Sequence, residues 1–245
     1  MRVAVISDIH ANYDALAAIV AETASEKVDR FVCLGDVVGY YAEPQRCVDL
    51  VREMDMLVIQ GNHDAVAGGL EEPHAFNVIA TDAIMWTREK LNKKSRAWLA
   101  GLPIQGQITP EIWIVHGSLR DRDEYLLDQN VVRGNFEVMA RLGKPRTTLF
   151  GHTHRRAAYR WCMVEKNVST CATEGRLKLN GSGRYLINPG GCGQPRDGVP
   201  GAPYAIIEND EIEFRRASYD VHAAAAKVAA LPFGQRLAER LELGV

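Results

Sequence analysis

The sequence predicts an α/β sandwich, two facing mixed β-sheets flanked by helices, in a single domain spanning residues 1–245. Five short apolar runs without alternation have the length and bounding glycines of strands buried on both faces. Helical periodicity fills much of the space between them, and after residue 154 the pattern turns to β. The length agrees: 245 residues is ordinary for one α/β domain, and such a chain buries roughly 70–75% of its unfolded surface without staples.

In chain order, Val3–Ile6 is the first strand, stopping at Ser7-Asp8. Residues 13–26 form an amphipathic helix with Leu16, Ile19, Val20 and Thr23 on one face. Phe31–Leu34 is a strand, residues 44–54 a helix opened by Pro44, and Met56–Ile59 a third strand. Residues 74–100 read as helix with a break. Ile104–Ile108 and Ile112–Val115 form a hairpin around Thr109-Pro110-Glu111, a helix capped by Asn130 runs to Leu142, and Thr147–Phe150 is a strand. Further strands are expected at Ala157–Val164, Leu177–Leu179, Tyr185–Asn188, Tyr204–Glu208 and Ile212–Ala217, with a hairpin at Asn209-Asp210. Tyr219–Leu231 is a closing helix, and Pro232 starts a last one to about Leu241.

The polar residues at the strand ends carry the chemistry. Asp8-Ile9-His10, Gly35-Asp36, Gly61-Asn62-His63-Asp64, His116-Gly117 and Gly151-His152-Thr153-His154 hold five of the seven histidines. In open α/β sheets ligands bind beyond the carboxyl ends of the strands, which is where every one of these runs lies. Three of them place Gly directly before the polar residue, where it permits a close approach. Singly, each residue has an ordinary reading: His10 as a helix cap, Asp8 and Asp36 as turn residues, Asn62 or Asp64 as N-caps, His116 as a core histidine. Jointly these readings require coincidence at five strand ends. Imidazole and carboxylate donors suit Mn, Fe, Zn, Co or Ni better than Mg or Ca. Four His, two Asp and one Asn exceed one tetrahedral ion, so two divalent ions are expected, roughly 3.5–4 Å apart.

The ordered set resembles the calcineurin-like metallophosphoesterase superfamily over residues 8–154. Gly35-Asp36-Val37-Val38-Gly39-Tyr40 and Asn188-Pro189-Gly190-Gly191 with Gln194-Pro195-Arg196-Asp197 resemble its bacterial phosphodiesterase and diadenosine-tetraphosphatase-like branch. The resemblance implies the same sandwich and a ligand set. Asp8, His10, Asp36 and His154 would hold one ion, and Asp36, Asn62, His116 and His152 the other. It further implies a metal-bridging hydroxide as nucleophile on a phosphodiester or dinucleoside polyphosphate, with His63 as the general acid, worth about 10²–10⁴-fold. Tyr40 and Arg196 are the expected substrate contacts, the first by stacking, the second by its forked donors. Asp64, Arg120, Arg155 and Arg156 are left without a role. The loops 66–76 and 118–130 are expected to shape specificity.

Competing functions are separated by particular residues. Serine/threonine protein phosphatases continue the second motif as GDxVDRG and end the third as GNHE. Here Gly39-Tyr40 replaces the Asp-Arg pair and Asp64 the Glu. A phosphomonoesterase shares the ligand set. A non-catalytic nucleotide-sensing or scaffold protein would not need His63. Net charge is −2 with pI about 6.4 and there is no basic tract, so a small phosphate-ester or nucleotide substrate is expected and no nucleic-acid partner. No CxxC pair occurs among the five cysteines, and no signal peptide or membrane span is visible. A reduced, cytoplasmic protein is therefore expected, with oligomerisation open.

Overall fold

The computed structural model describes all residues except 144, 163–166, 180 and 182. The first half runs β1 (Val3–Ile6), α1 (Tyr13–Thr23), β2 (Arg30–Cys33), α2 (Pro44–Glu53), β3 (Leu57–Val58), α3 (Asn62–Gly68), α4 (Val78–Lys90) and α5 (Lys93–Ala100). There follow β4 (Gln105–Thr109), β5 (Ile112–Val115), α6 (Gln129–Leu142), β6 (Thr147–Leu149), β7 (Ala157–Cys162), β8 (Asn167–Thr170) and β9 (Gly175–Lys178). The chain closes with β10 (Gly183–Asn188), β11 (Ala202–Glu208), β12 (Glu211–Ala217), α7 (Val221–Ala229) and α8 (Gln235–Leu243).

The strands form two six-stranded sheets, ordered β3-β2-β1-β11-β12-β9 and β4-β5-β6-β10-β7-β8. Both are mixed. β1, β2 and β3 pair in parallel and β11 runs against β1; β5, β6 and β10 are parallel and β7 runs against β10. The parallel trios bring the carboxyl ends of their strands to one edge, so the motif loops meet there.

Alternation along β1 shows how the layers stack. Val3 and Val5 join Leu149, Ile187 and Phe214 in the core between the sheets. Ala4 and Ile6 face the other way, onto Leu16 and Ile19 of α1 and Val48 of α2. On the second sheet Val132, Phe136 and Met139 of α6 cover Phe150 and Leu186. A further cluster joins Ala80 and Ala83 of α4 to Val228, Leu237 and Leu241 of the last two helices, and Tyr40 and Tyr41 belong to it. The result is helix, sheet, sheet, helix, as the sequence predicts. Among the described residues no helix is long and apolar enough to cross a membrane.

Boundaries differ from expectation for local reasons. The first helix stops at Thr23 rather than at residue 26, with Thr23 Oγ1 donating back to the Ile19 carbonyl at 2.7 Å. The 74–100 segment divides after Leu91, where Asn92 Oδ1 accepts from Ser95 N at 2.8 Å and restarts the helix. Asp128, not Asn130, caps α6, accepting from Asn130 N at 2.8 Å. β2 lies one residue earlier than expected and β3 is only two residues long. β9 and β11 begin two residues before the expected runs. The last helix starts at Gln235 rather than Pro232. Two elements were not expected: α3, which begins on Asn62 itself, and β8. Residues 163–164 of the expected strand Ala157–Val164 lie outside the described residues. At Asn209 and Asp210 both φ values are positive, 49° and 59°, as the tight turn between β11 and β12 requires.

Phe136 is the largest side chain that α6 buries on its sheet. Phe136→Ala is expected to lower stability by about 3–5 kcal/mol, read from the denaturant midpoint, and a loss below about 1 kcal/mol would show that α6 does not depend on this contact.

Candidate active site

The motif loops are stitched together by main-chain bonds before any side chain matters. Asp8 N donates to Gly35 O at 3.1 Å, His10 N to Asp36 O at 2.9 Å, and Gly151 N to His116 O at 2.7 Å. Cys192 N and Gly193 N reach Ser7 O and Asp8 O at 2.8 and 3.0 Å, so the Gly-rich loop after β10 forms a floor. Asp64 is not a cap. It sits at the third position of α3 and accepts from Gly61 N at 3.0 Å, Asp36 N at 2.8 Å and Val37 N at 2.9 Å. One buried carboxylate thus joins the loops after β2 and β3. The fit leaves no room at Gly61, where a Cβ would lie 2.0 Å from Asp36 Oδ1.

Four main-chain carbonyls set the histidine tautomers. A carbonyl only accepts, so the ring nitrogen facing it must carry hydrogen. Nδ1–H of His10 donates to Val38 O (3.1 Å), that of His116 to Leu34 O (2.8 Å) and that of His154 to Gln194 O (2.7 Å). His152 is turned over, with Nε2–H donating to Asp123 O at 3.0 Å. The other nitrogen of each ring therefore points inward.

Those inward nitrogens meet carboxylate and amide oxygens in two groups. In the first, His10 Nε2 is 3.1 Å from His154 Nε2, His154 Nε2 is 3.6 Å from Asp8 Oδ1, and His10 Nε2 is 3.5 Å from Asp36 Oδ2. In the second, His116 Nε2 is 3.4 Å from Asp36 Oδ2, 3.1 Å from Asn62 Oδ1 and 3.2 Å from His152 Nδ1. Asp36 Oδ2 belongs to both. Donor atoms about 2.0–2.2 Å from one ion stand at about these separations. Lone pairs this close repel unless a cation or a proton lies among them. The donor set therefore fits divalent metal: Asp8, His10 and His154 form one group that can hold an ion, Asp36, His116 and His152 another, and His10, Asp36 and His63 a third that overlaps both.

Electrostatics follow from burial. Loss of water pushes His10 and His154 well below the imidazole range and His152 to about 3, so these rings are neutral and free to ligate. Burial also opposes charge on His116, but the Asp36 carboxylate outweighs it and the pKa rises to about 9. Asp36 is in turn held well below the carboxylate range, burial being overcome by His116 and His63.

The backbone here is strained. Asp8, His10, Ala11, Asp36, Tyr40, His152 and His154 all have φ between 50° and 63°, a region costly for residues other than glycine and tolerated where the surroundings over-determine it.

His63 lies beside the two groups. Its amide donates to Asp36 Oδ1 at 2.9 Å. Its ring packs against Tyr40 (4.6 Å between centroids), His10 (4.7 Å) and Phe76 (4.5 Å). It lines a cavity of about 160 Å³ together with Asn62, Phe76, Asp123, Tyr125 and His152. Arg196 is held by Gln194 Oε1 at 2.8 and 3.2 Å, and its charge acts on Asp8, His10, His63 and Tyr40. Arg120 pairs with Glu124, Arg156 reaches the Arg215 carbonyl, and Arg155 is exposed; none lines the cavity.

Sequence reading missed Tyr125 and Phe76. Tyr125 stacks on His152 at 4.0 Å and remains half exposed. Both lie in loops expected to shape specificity, and aromatic residues in such loops were the available signal. Arg122 stands in the charged run Arg120-Asp121-Arg122-Asp123-Glu124, a pattern typical of a solvated face. It is only 14% exposed and pairs with Glu71 and Asp123, each at 2.7 Å, tying the two loops together.

Comparison with known proteins agrees with this geometry. A model of the calcineurin-like phosphoesterase superfamily domain matches residues 1–211. An uncharacterized protein of Methanocaldococcus jannaschii is 33% identical over 99% of this chain and 98% of its own length. The crystal structure of a metallophosphoesterase from Sphaerobacter thermophilus is 36% identical, covers 100% of this chain and 99% of its own, and has a TM-score of 0.86. A hypothetical protein of Pyrococcus horikoshii, 19% identical over 100% of this chain and 98% of its own with a TM-score of 0.78, shares the fold.

His116 carries a proton in the metal-free protein at pH 7, because its pKa of about 9 lies above that pH. A metal entering the second group must displace that proton. Manganese binding at pH 7 is expected to release about one proton, read by calorimetry in buffers of different ionisation enthalpy, and affinity should fall as pH is lowered. Buffer-independent heats would contradict this.

Proposed function

The chain belongs to the calcineurin-like phosphoesterase superfamily, and from that premise we propose that it hydrolyses a phosphodiester or dinucleoside polyphosphate with two divalent transition-metal ions bound. The observation that carries this is the single oxygen Asp36 Oδ2, 3.5 Å from His10 Nε2 and 3.4 Å from His116 Nε2. In this reading Asp8, His10, Asp36 and His154 hold one ion, and Asp36, Asn62, His116 and His152 the other. Mn, Fe, Zn, Co or Ni suits such donors. When bound, the ions supply Lewis-acid polarisation of the phosphoryl oxygen and make a water-derived nucleophile available at neutral pH.

The chain's own residues do the rest. His63 faces the cavity and donates a proton to the departing oxygen. Burial pushes its pKa to about 4, which leaves the ring neutral at pH 7 in the free protein, so proton donation requires that the bound anionic phosphate raise that pKa. Tyr40 and Phe76 hold the ring in place from two sides. Arg196 adds positive potential where the phosphate arrives. Tyr125 offers a ring face on which a base or aryl leaving group can stack. The free cysteines support a reducing, cytoplasmic setting.

The test is metal-dependent hydrolysis by chelator-treated, manganese-reloaded protein, with diadenosine tetraphosphate and bis-p-nitrophenyl phosphate as substrates. Absence of turnover on both would overturn the reading. Asp36→Asn is expected to disturb both ions, and two full equivalents retained by metal analysis would refute the shared role. His63→Ala is expected to keep its metal and lose about 10²–10⁴-fold in rate, with a smaller loss for a nitrophenolate leaving group, which needs little protonation. Equal losses for good and poor leaving groups would rule out proton donation.

A further inference from the structure

Tyr40 separates the cavity at His63 from a second one of about 440 Å³, and Asn77 is likewise shared by both. The wall away from the motif loops is α8, which presents Arg236, Leu237 and Arg240. Arg236 and Arg240 are four residues apart and so share a helix face. The opposite wall is the first turn of α4, with Val78 and Ile79, whose end of the helix dipole adds potential of the same sign.

The arginines here lack what arginines elsewhere in the molecule possess. Arg2, Arg122, Arg215 and Arg216 are partly buried, and each pairs with at least one carboxylate. Among the described residues no side-chain carboxylate comes within 4.0 Å of Arg196, Arg236 or Arg240. The Nε of Arg240 donates to the Val245 main-chain oxygen at 2.9 Å, which leaves its two terminal amino groups free. Burial lowers the Arg240 pKa, and the charges of Arg196 and Arg236 lower it further. Both Arg196 and Arg240 act on the Tyr40 phenol. Three like charges act around the ring that touches His10 and His63, and among the described residues no Asp or Glu side chain pairs directly with any of them. Such an arrangement leaves a positive potential that favours an entering anion.

We propose that this second cavity is an anion subsite, in which Arg236 and Arg240 hold a further phosphate of the substrate while the phosphate under attack lies at the Asp36-centred groups. The substrate class is then one with at least two phosphates, and the apolar wall of Val78, Ile79 and Leu237 faces the ring or chain that carries the distal one. This inference rests on the phosphoesterase reading for the position of the reacting phosphate, but its test does not need turnover.

The test is calorimetric titration of the chelator-treated full-length protein with inorganic tripolyphosphate and with orthophosphate. The wild-type protein is expected to bind tripolyphosphate at least tenfold more tightly than orthophosphate. The pair Arg236→Gln and Arg240→Gln is expected to lose at least tenfold in tripolyphosphate affinity, whereas the pair Arg236→Lys and Arg240→Lys, which keeps the charge, stays within threefold of wild type. Arg236 is exposed, so Arg236→Gln alone leaves the fold intact and should weaken tripolyphosphate at least threefold even if the double variant unfolds. No preference of the wild type for tripolyphosphate, or equal affinity in wild type and the glutamine variants, overturns the subsite. Because metal is absent, failure here is separate from failure of metal-dependent hydrolysis, which tests the phosphoesterase reading itself.

Discussion

One carboxylate oxygen, Asp36 Oδ2, stands between two sets of inward-pointing lone pairs, and the rest of the site is arranged to keep it there. The other oxygen accepts from His63 N. The residue's own amide is held by Asp64, which also grips Gly61 and Val37. The positive φ of Asp36 is the cost of aiming it, offset by bonds converging from three loops. Remove the negative charge and the histidines of both groups lose the neighbour that makes a cation welcome between them.

The sheets supply the geometry that this oxygen needs. Parallel pairing of β1 with β2 and of β5 with β6 sets the loops that follow each pair side by side at one edge of its own sheet. The inter-sheet core of Val5, Leu34, Leu149 and Ile187 fixes one sheet on the other, and so fixes His116 and His152 relative to Asp8 and His10. Rigidity at the strand ends is what lets histidine ring nitrogens sit within 3.2 Å of one another without turning away.

Much of this was legible before any coordinates. Non-alternating runs such as Val3–Ile6 and Ile112–Val115 announce buried strands, and the position of Asp8, Asp36, Asn62, His116 and His152 at their ends announces a shared site. Other features were not legible because they depend on partners distant in sequence. Asp64 reads locally as a cap, and only the return of the β2 loop turns it into a clamp. Arg122 reads as a surface charge until Glu71 arrives from another loop. Arg236 and Arg240 lie on a polar helix whose relation to Tyr40 is set wholly by tertiary packing. Asn62 reads as a residue before a helix, yet α3 begins on it because Gly61 supplies the turn.

The histidine tautomers are held by the main-chain oxygens of Leu34, Val38, Asp123 and Gln194 rather than by side chains. A main-chain oxygen survives any substitution that preserves the local path of the chain. The orientation of the centre is therefore insulated from genetic drift at those four positions, while the loops carrying Phe76 and Tyr125 are free to diversify. Lineages descended from such a protein can change what they recognise without rebuilding the apparatus that reacts.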